Sequence, residues 1–182
     1  QDILIGFDLS MALPFVDQDA YFPKWDDSPD HAKALWRAVD AMCGDDPHLN
    51  VTSFLAHHQA SRHFRHGGGL VGDLFTGGIG RLREVERYQR ATGQANSASC
   101  FNLVGAAQVG KSSLTGMRLL NQLDGAIPVW PFDPVPDSGP AIVEIYTTVA
   151  ALAAGQPKGR SKVRDRAGLK QALTRLHTPT PA

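Results

Sequence analysis

The sequence predicts a single α/β domain, and three observations lead to that prediction. Short apolar runs, which are typical of buried strands, occupy residues 2–10 and 141–146. Helical patterns lie between and after these runs, and alternating strands and helices indicate an α/β domain. The 182 residues are enough to bury one core, and the 42% hydrophobic and 20% charged fractions are ordinary for a globular protein.

Charge and cysteine content narrow the functional classes. The formal net charge is zero, so any nucleic-acid surface must be a local patch. Cys43 and Cys100 lie far apart without metal-ligand spacing, which argues against a disulfide framework or a zinc ribbon and suits a reducing compartment. The sequence has no signal-peptide pattern and no apolar run long enough to span a membrane. We therefore expect a cytoplasmic protein without a membrane partner.

Each of the two apolar runs carries one acidic residue, and these two residues are the first site candidates. Asp8 stands at the far end of the first run, and Glu144 stands within the second. A carboxylate in apolar surroundings is costly unless something compensates its charge. A backbone amide at a turn would do so. A divalent cation would do so as well, and an acid at the end of a central strand is a common metal ligand.

The first half of the chain is predicted to contain one clear helix. It begins at residues 28–30, where serine, proline and aspartate form a strong start signal, and it ends at Gly44. Residues 11–21 could supply an antiparallel partner for the first strand. For residues 50–60 the pattern leaves helix and strand open.

Two charged stretches follow. Residues 57–80 hold three consecutive glycines and four histidines without metal-ligand spacing, so we predict a cationic surface loop; the histidines are His57, His58, His63 and His66. Residues 80–91 predict an exposed helix, ended by Gly93, whose Glu and Arg residues pair with one another along the surface.

A phosphate-binding motif lies in the middle of the chain. A predicted strand, residues 101–104, leads into a GxxxxGK[ST] pattern and then a helix over residues 114–123. In a P-loop the backbone amides hold phosphates, while the lysine and serine serve phosphate and magnesium. The nucleotide-binding residues would be Gly105, Gly110, Lys111 and Ser112. The alternative, which we favour, is a tight strand-to-helix turn with the lysine in solvent, because about a hundred residues precede the motif.

The last third supplies a short edge strand, the second acidic strand and two helices. Residues 126–132 predict the edge strand, and a short helix after Glu144 ends at Gly155. A last helix, with Asp165 as its cap, presents an apolar face. Between these helices lies the only dense basic segment, which is either a solvated linker or a nucleic-acid contact; its residues are Lys158, Arg160, Lys162 and Arg164.

With these segments placed, the sequence resembles the predicted RNase H-like nucleases, a bacterial family related in fold to Holliday-junction resolvases. The resemblance is carried by residues 3–10, 81–90, 101–105 with 113–117, 129–133, and 143–146 followed by the basic segment. It implies a mixed sheet flanked by helices. It also implies one RNase H-like domain over residues 1–182, with an irregular insertion around residues 20–80.

The resemblance implies a chemistry for the two acids. Asp8 and Glu144 would converge at the ends of neighbouring strands and hold one or two Mg²⁺ or Mn²⁺ ions for phosphodiester hydrolysis. The third acid of the family pattern has no counterpart up to Ala182. We therefore expect either a further C-terminal segment or a degenerate relative that binds nucleic acid. The alternative function is a P-loop NTPase or kinase, which would require Lys111 at the carboxyl edge of the sheet.

Overall fold

A computed structural model of the chain describes residues 2–105, 108–157 and 163–177 and has an α/β fold. Within these ranges three strands form one parallel sheet in the order β1-β3-β2. The strands are β1 (Ile3–Phe7), β2 (Val129–Trp130) and β3 (Pro140–Glu144). The α/β prediction is confirmed and so is the edge position of β2. The described sheet is parallel rather than mixed, because residues 11–21 form turns and not an antiparallel strand.

The strand order makes β3 the centre of the sheet and β1 an edge. Ile142 is buried and lies opposite Ile5 of β1 on one side and Val129 of β2 on the other. In β1, Ile3 is 49% exposed and Leu4 is 71% exposed. The prediction of a first strand covered on both faces is therefore wrong, and the covered strand is the second acidic one.

Six α-helices surround this sheet in the described part of the chain. They are α1 (Ala32–Met42), α2 (Thr52–Ala56), α3 (Glu84–Ala91), α4 (Val109–Gln122), α5 (Thr147–Ala153) and α6 (Arg166–His177). The first begins slightly later than predicted, because His31 caps it by accepting a hydrogen bond from the Ala34 amide at 3.2 Å. Among the residues described, no helix is both long and apolar enough to cross a bilayer.

The segment expected to be an insertion supplies much of the core. Phe22, Phe54 and Phe64 are fully buried and pack around Phe101 and one another. His63 is only 3% exposed and packs edge-on against Phe22 at 5.3 Å between ring centroids. The surface-loop prediction for residues 57–80 is thus wrong at this histidine, because its aromatic neighbours draw it into the core.

A buried arginine ties the turns after β1 to the rest of the molecule. Arg81, 6% exposed, donates to both carboxylate oxygens of Asp17 at 2.6 and 2.9 Å. It also donates to the backbone carbonyls of Pro14, Ala20 and Tyr21 at 2.7–2.9 Å. The prediction of an exposed helix from residue 80 is corrected here, since α3 begins at Glu84 and Arg81 precedes it inside the protein.

Helix α4 packs closely against the segment that follows β1. A Cβ atom at Gly116 would lie 2.6 Å from both methyl carbons of Leu9, so a larger residue there would force the Leu9 side chain to move. One turn earlier, the Ser113 hydroxyl accepts a hydrogen bond from the Ser10 amide at 3.1 Å. The second contact holds the backbone two residues beyond Asp8.

Candidate functional site

A cleft runs along the carboxyl ends of all three strands. The residues that follow β1, β2 and β3 are Asp8, Pro131 and Ile145, and all of them line it. The cleft has an acidic pocket of about 90 Å³ and an apolar groove of about 710 Å³, which share Arg83 and Glu144 as walls. Ligands of open parallel sheets bind at this edge. We call the whole feature the strand-end cleft.

The two predicted acids both line the acidic pocket. Phe7 pairs with Glu144 in the parallel register of β1 and β3, so Asp8 stands one residue beyond that pair at the same edge. The roles of Asp8 and Glu144 as catalytic residues and metal ligands stay predictions.

The two acids differ in their partners. Both carboxylate oxygens of Glu144 accept hydrogen bonds from the Arg83 guanidinium, at 2.5 and 2.8 Å, and one also accepts from the Met11 amide at 3.0 Å. A bidentate pair of this kind is strong and directional. Asp8 is exposed and accepts one hydrogen bond, from the Thr147 hydroxyl at 2.8 Å. The Arg83 guanidinium therefore offsets the charge of Glu144, while the Asp8 carboxylate faces solvent.

Arg83 also holds a third acid in the pocket. Its Nε donates to Glu86 at 2.8 Å, and its amide donates to the other Glu86 oxygen at 2.7 Å. Its Nη2 donates to the Ser10 hydroxyl at 3.1 Å. Glu86 is 4% exposed, and this burial raises its pKa despite the opposing charge of Arg83. One guanidinium thus serves two carboxylates that line the same pocket.

Sequence reasoning missed Arg83 and Glu86, which it placed on a solvated helix face. Only the pair of Glu84 with Arg87, 2.8 Å apart and exposed, matches that expectation. The available signal was the three-residue spacing of Arg83 and Glu86 at a helix start, where an N3 glutamate reaches back to the N-cap amide. That spacing positions Glu86 but does not reveal which way Arg83 points.

The apolar groove contains a half-exposed tryptophan. Trp130, the last residue of β2, is 51% exposed and lines the groove with Pro131 and Tyr146. Its neighbour Phe132 packs edge-on against the buried Trp36 at 5.3 Å, which anchors this wall to the core. An exposed tryptophan in an apolar groove beside ionisable groups is typical of a binding surface.

The acidic pocket does not fit the Mg²⁺ or Mn²⁺ ions implied by the resemblance. Glu144 uses both oxygens on Arg83, and a cation beside it would face a guanidinium. In the residues that the structure describes, no group of three or more His, Cys, Asp or Glu side chains could hold a metal ion. Of the three acids that line the pocket, Asp8 alone has a carboxylate oxygen without a hydrogen-bond partner among the described residues.

The P-loop motif has part of its expected context. Residues 101–104 are not a strand, since only Asn102 makes a single bridge, to Arg65. Helix α4 begins at Val109, so Gly110, Lys111 and Ser112 lie in its first turn. Lys111 is exposed and lines a cavity separate from the strand-end cleft. Nucleotide binding by Gly105, Gly110, Lys111 and Ser112 stays a prediction.

Most of the predicted basic segment lies outside the described residues. The residues outside are Lys158, Arg160 and Lys162, whereas Arg164 is described and is exposed just before α6.

Comparison of the chain with protein-family models, with curated proteins and with solved structures found no match. The strand-end cleft is therefore the basis of the functional argument.

Proposed function

We propose that this chain is a nucleic-acid-binding relative of the RNase H-like nucleases and that the strand-end cleft holds one nucleotide. The observation that supports the proposal is the half-exposed Trp130 in an apolar groove that continues into the acidic pocket. A nucleobase combines an apolar face with polar edges and attached hydroxyls, and it matches such a two-part surface. Stacking on aromatic side chains is the usual sequence-tolerant contact with single strands.

Each part of the cleft has a role in this proposal. Trp130 and Tyr146 offer aromatic faces for a base. Asp8, exposed and held by one threonine hydroxyl, accepts hydrogen bonds from base or sugar. The basic segment, Lys158, Arg160, Lys162 and Arg164, supplies phosphate contacts, whose strength depends on salt because counterions are released.

Binding is proposed ahead of hydrolysis because of Glu144. Two-metal phosphodiester cleavage needs carboxylates that bind the ions. Here both oxygens of Glu144 are held by Arg83, and its remaining acceptor capacity is partly used by the Met11 amide. Hydrolysis would first require Arg83 to release Glu144.

The test is a titration of a short fluorescein-labelled single strand, followed by anisotropy at several salt concentrations. Substituting Trp130→Ala should weaken binding about 5- to 160-fold, since stacking on one aromatic contributes about 1–3 kcal/mol. The control is Tyr88→Ala, because Tyr88 is 61% exposed and lines neither part of the cleft. Replacing Lys162 and Arg164 by alanine together should reduce the salt slope by about two.

Three outcomes would decide between the alternatives. Equal affinities of the Trp130→Ala and Tyr88→Ala variants, or no binding by the unaltered protein, would contradict the proposal. Cleavage of the strand after addition of Mg²⁺ or Mn²⁺, abolished by Glu144→Gln, would favour the metal-dependent nuclease.

The P-loop alternative is supported by the motif at the start of α4 alone. An NTPase or kinase would bind ATP with magnesium and lose that binding in Lys111→Ala, because the lysine contacts the terminal phosphates. Calorimetry with ATP and magnesium would therefore test it independently of the strand-end cleft.

A further inference from the structure

A second cavity lies apart from the strand-end cleft and shares no lining residue with it. It encloses about 660 Å³, which is within the range of small-molecule sites. Its walls come from the first two turns of α4, from residues 47–56 and from residues 66–67. We call it the α4 cavity.

The lining of the α4 cavity combines one lysine with apolar side chains. Lys111 stands on one wall, with His48 and His66 on others, and no aspartate or glutamate is among the described residues that line it. Within the described ranges, Lys111 makes no ion pair and no hydrogen bond through its side chain, so its ammonium is available to a ligand. The apolar side chains of the lining include Val51, Leu55 and Leu103. Of these, Val51 and Leu103 are each only 3% exposed.

A strained turn brings His48 into the wall. His48 and Leu49 have φ angles of 55° and 56°, a left-handed conformation that is uncommon outside glycine. The turn is held by Arg118 of α4, which is 3% exposed and donates to the carbonyls of Asp46 and Asn50. Strain that the surrounding structure enforces is typical of binding sites.

We propose that the α4 cavity binds a small organic anion, a phosphomonoester or carboxylate with an apolar body. The anionic group pairs with the Lys111 ammonium, and the apolar body packs on Leu55 and Ala56, which are more accessible than Val51 and Leu103. This site is independent of the strand-end cleft and of its proposed nucleotide. It also differs from a P-loop, because it uses neither magnesium nor the Ser112 hydroxyl, which is hydrogen-bonded to the Val109 carbonyl at 3.0 Å.

The probes are phenyl phosphate, benzoate and phenol, titrated by calorimetry without magnesium. At least one of the two anions should bind saturably and about ten-fold or more tighter than neutral phenol, the effect of one hydrogen bond to a charged group. Lys111→Met should remove that advantage, and Thr115→Glu should do the same by placing a carboxylate one turn from Lys111. Ser112→Ala is the matched control and should bind like the unaltered protein.

Amide chemical shifts would locate the bound anion. Titration should move the resonances of His48, Leu55 and Lys111 and leave those of Asp8 and Glu144 in place. The proposal would be overturned if neither anion bound, if phenol bound as tightly, or if the shifts mapped to the strand-end cleft. Magnesium-dependent binding lost in Ser112→Ala would assign the ligand to a P-loop instead.

Discussion

Arg81 and Arg83 are two residues apart in the chain, yet they build networks of different kinds. Arg81 donates to Asp17 and to three backbone carbonyls, and its guanidinium lies 5.6 Å from the centre of the Phe101 ring. Arg83 donates to side chains alone, and the two carboxylates it holds line an open pocket. Arg81 therefore belongs to the scaffold, whereas the part-buried Arg83 and Glu144 remain accessible to a ligand in the pocket.

The pKa values of the carboxylates in the two networks shift in opposite directions, although burial raises both. Burial raises the pKa of Asp17, but the hydrogen bonds and charge of Arg81 outweigh it, so the pKa is lowered. At Glu86 burial outweighs Arg83, and the pKa is raised. Asp17 therefore stays ionised as the pH falls, while Glu86 takes up a proton earlier than an ordinary glutamate.

Removing Arg81 should have the largest effect. Arg81→Met leaves the 10%-exposed Asp17 side chain and three carbonyls without their main donor, so we expect a loss of about 3–5 kcal/mol in the free energy of unfolding. Urea unfolding followed by circular dichroism would measure it. The control is Arg87→Met, which removes a half-exposed partner of the same carboxylate and should lose less than about 1 kcal/mol. Similar losses in both variants would contradict the scaffold role.

The buried His63 lies close enough to Arg81 for that charge to affect its pKa, so the pH dependence of stability tests the same part of the core. Burial, then the charges of Arg81 and Arg62, lower its pKa from 6.5 to about 4. The unfolded chain therefore takes up the proton first as the pH falls, so this contribution to stability is present above pH 6.5 and is lost towards pH 4. The loss is about 3 kcal/mol at 1.36 kcal/mol per unit.

The measurement is urea unfolding at pH 7 and pH 4 for the unaltered protein and for His63→Phe, which keeps an aromatic ring in the cluster. The stability difference between them should shift by about 3 kcal/mol in favour of the variant at low pH. The control is His177→Phe, at an exposed histidine at the end of α6. Parallel pH profiles for the protein and its His63→Phe variant would show that His63 is not the titrating group.

Glu144→Gln should have the smallest effect on stability. The Glu144 side chain is 28% exposed, and glutamine keeps an acceptor for Arg83 or for the Met11 amide. We expect a loss of about 1 kcal/mol in the same urea experiment, the net contribution of one hydrogen bond. A loss as large as that of Arg81→Met would mean that both arginine networks belong to the scaffold.

The sequence was sufficient to place Asp8 and Glu144 together. Each belongs to an apolar run, the resemblance implied that the two runs are neighbouring strands, and β1 and β3 do pair with each other. The sequence was not sufficient to predict that Arg83 pairs with Glu144, because the Glu residues of α3 could equally pair with Arg83 along the surface. It also misjudged β1, since an apolar run does not reveal strand order, which depends on pairing across more than 130 residues.

The outcome for the GxxxxGK[ST] pattern also separates what local sequence predicts from what depends on distant partners. It correctly predicted that a helix follows, although α4 begins at Val109 and not at residue 114. The strand expected before it depends on partners elsewhere in the chain, and Asn102 finds only one bridge. In this segment the helix was predicted correctly, whereas the pairing of the residues before it with a distant part of the chain was not.

Gly116 makes the geometry of the strand-end cleft depend on a helix that is mostly remote from it. Glycine inside a helix lowers its stability by about 1 kcal/mol relative to alanine. At this position alanine would instead push against both methyl groups of Leu9. Leu9 lines the acidic pocket, so the side chain that has to give way is part of the pocket wall. A substitution meant to strengthen α4 would therefore change the shape of the pocket without touching any of its charged residues.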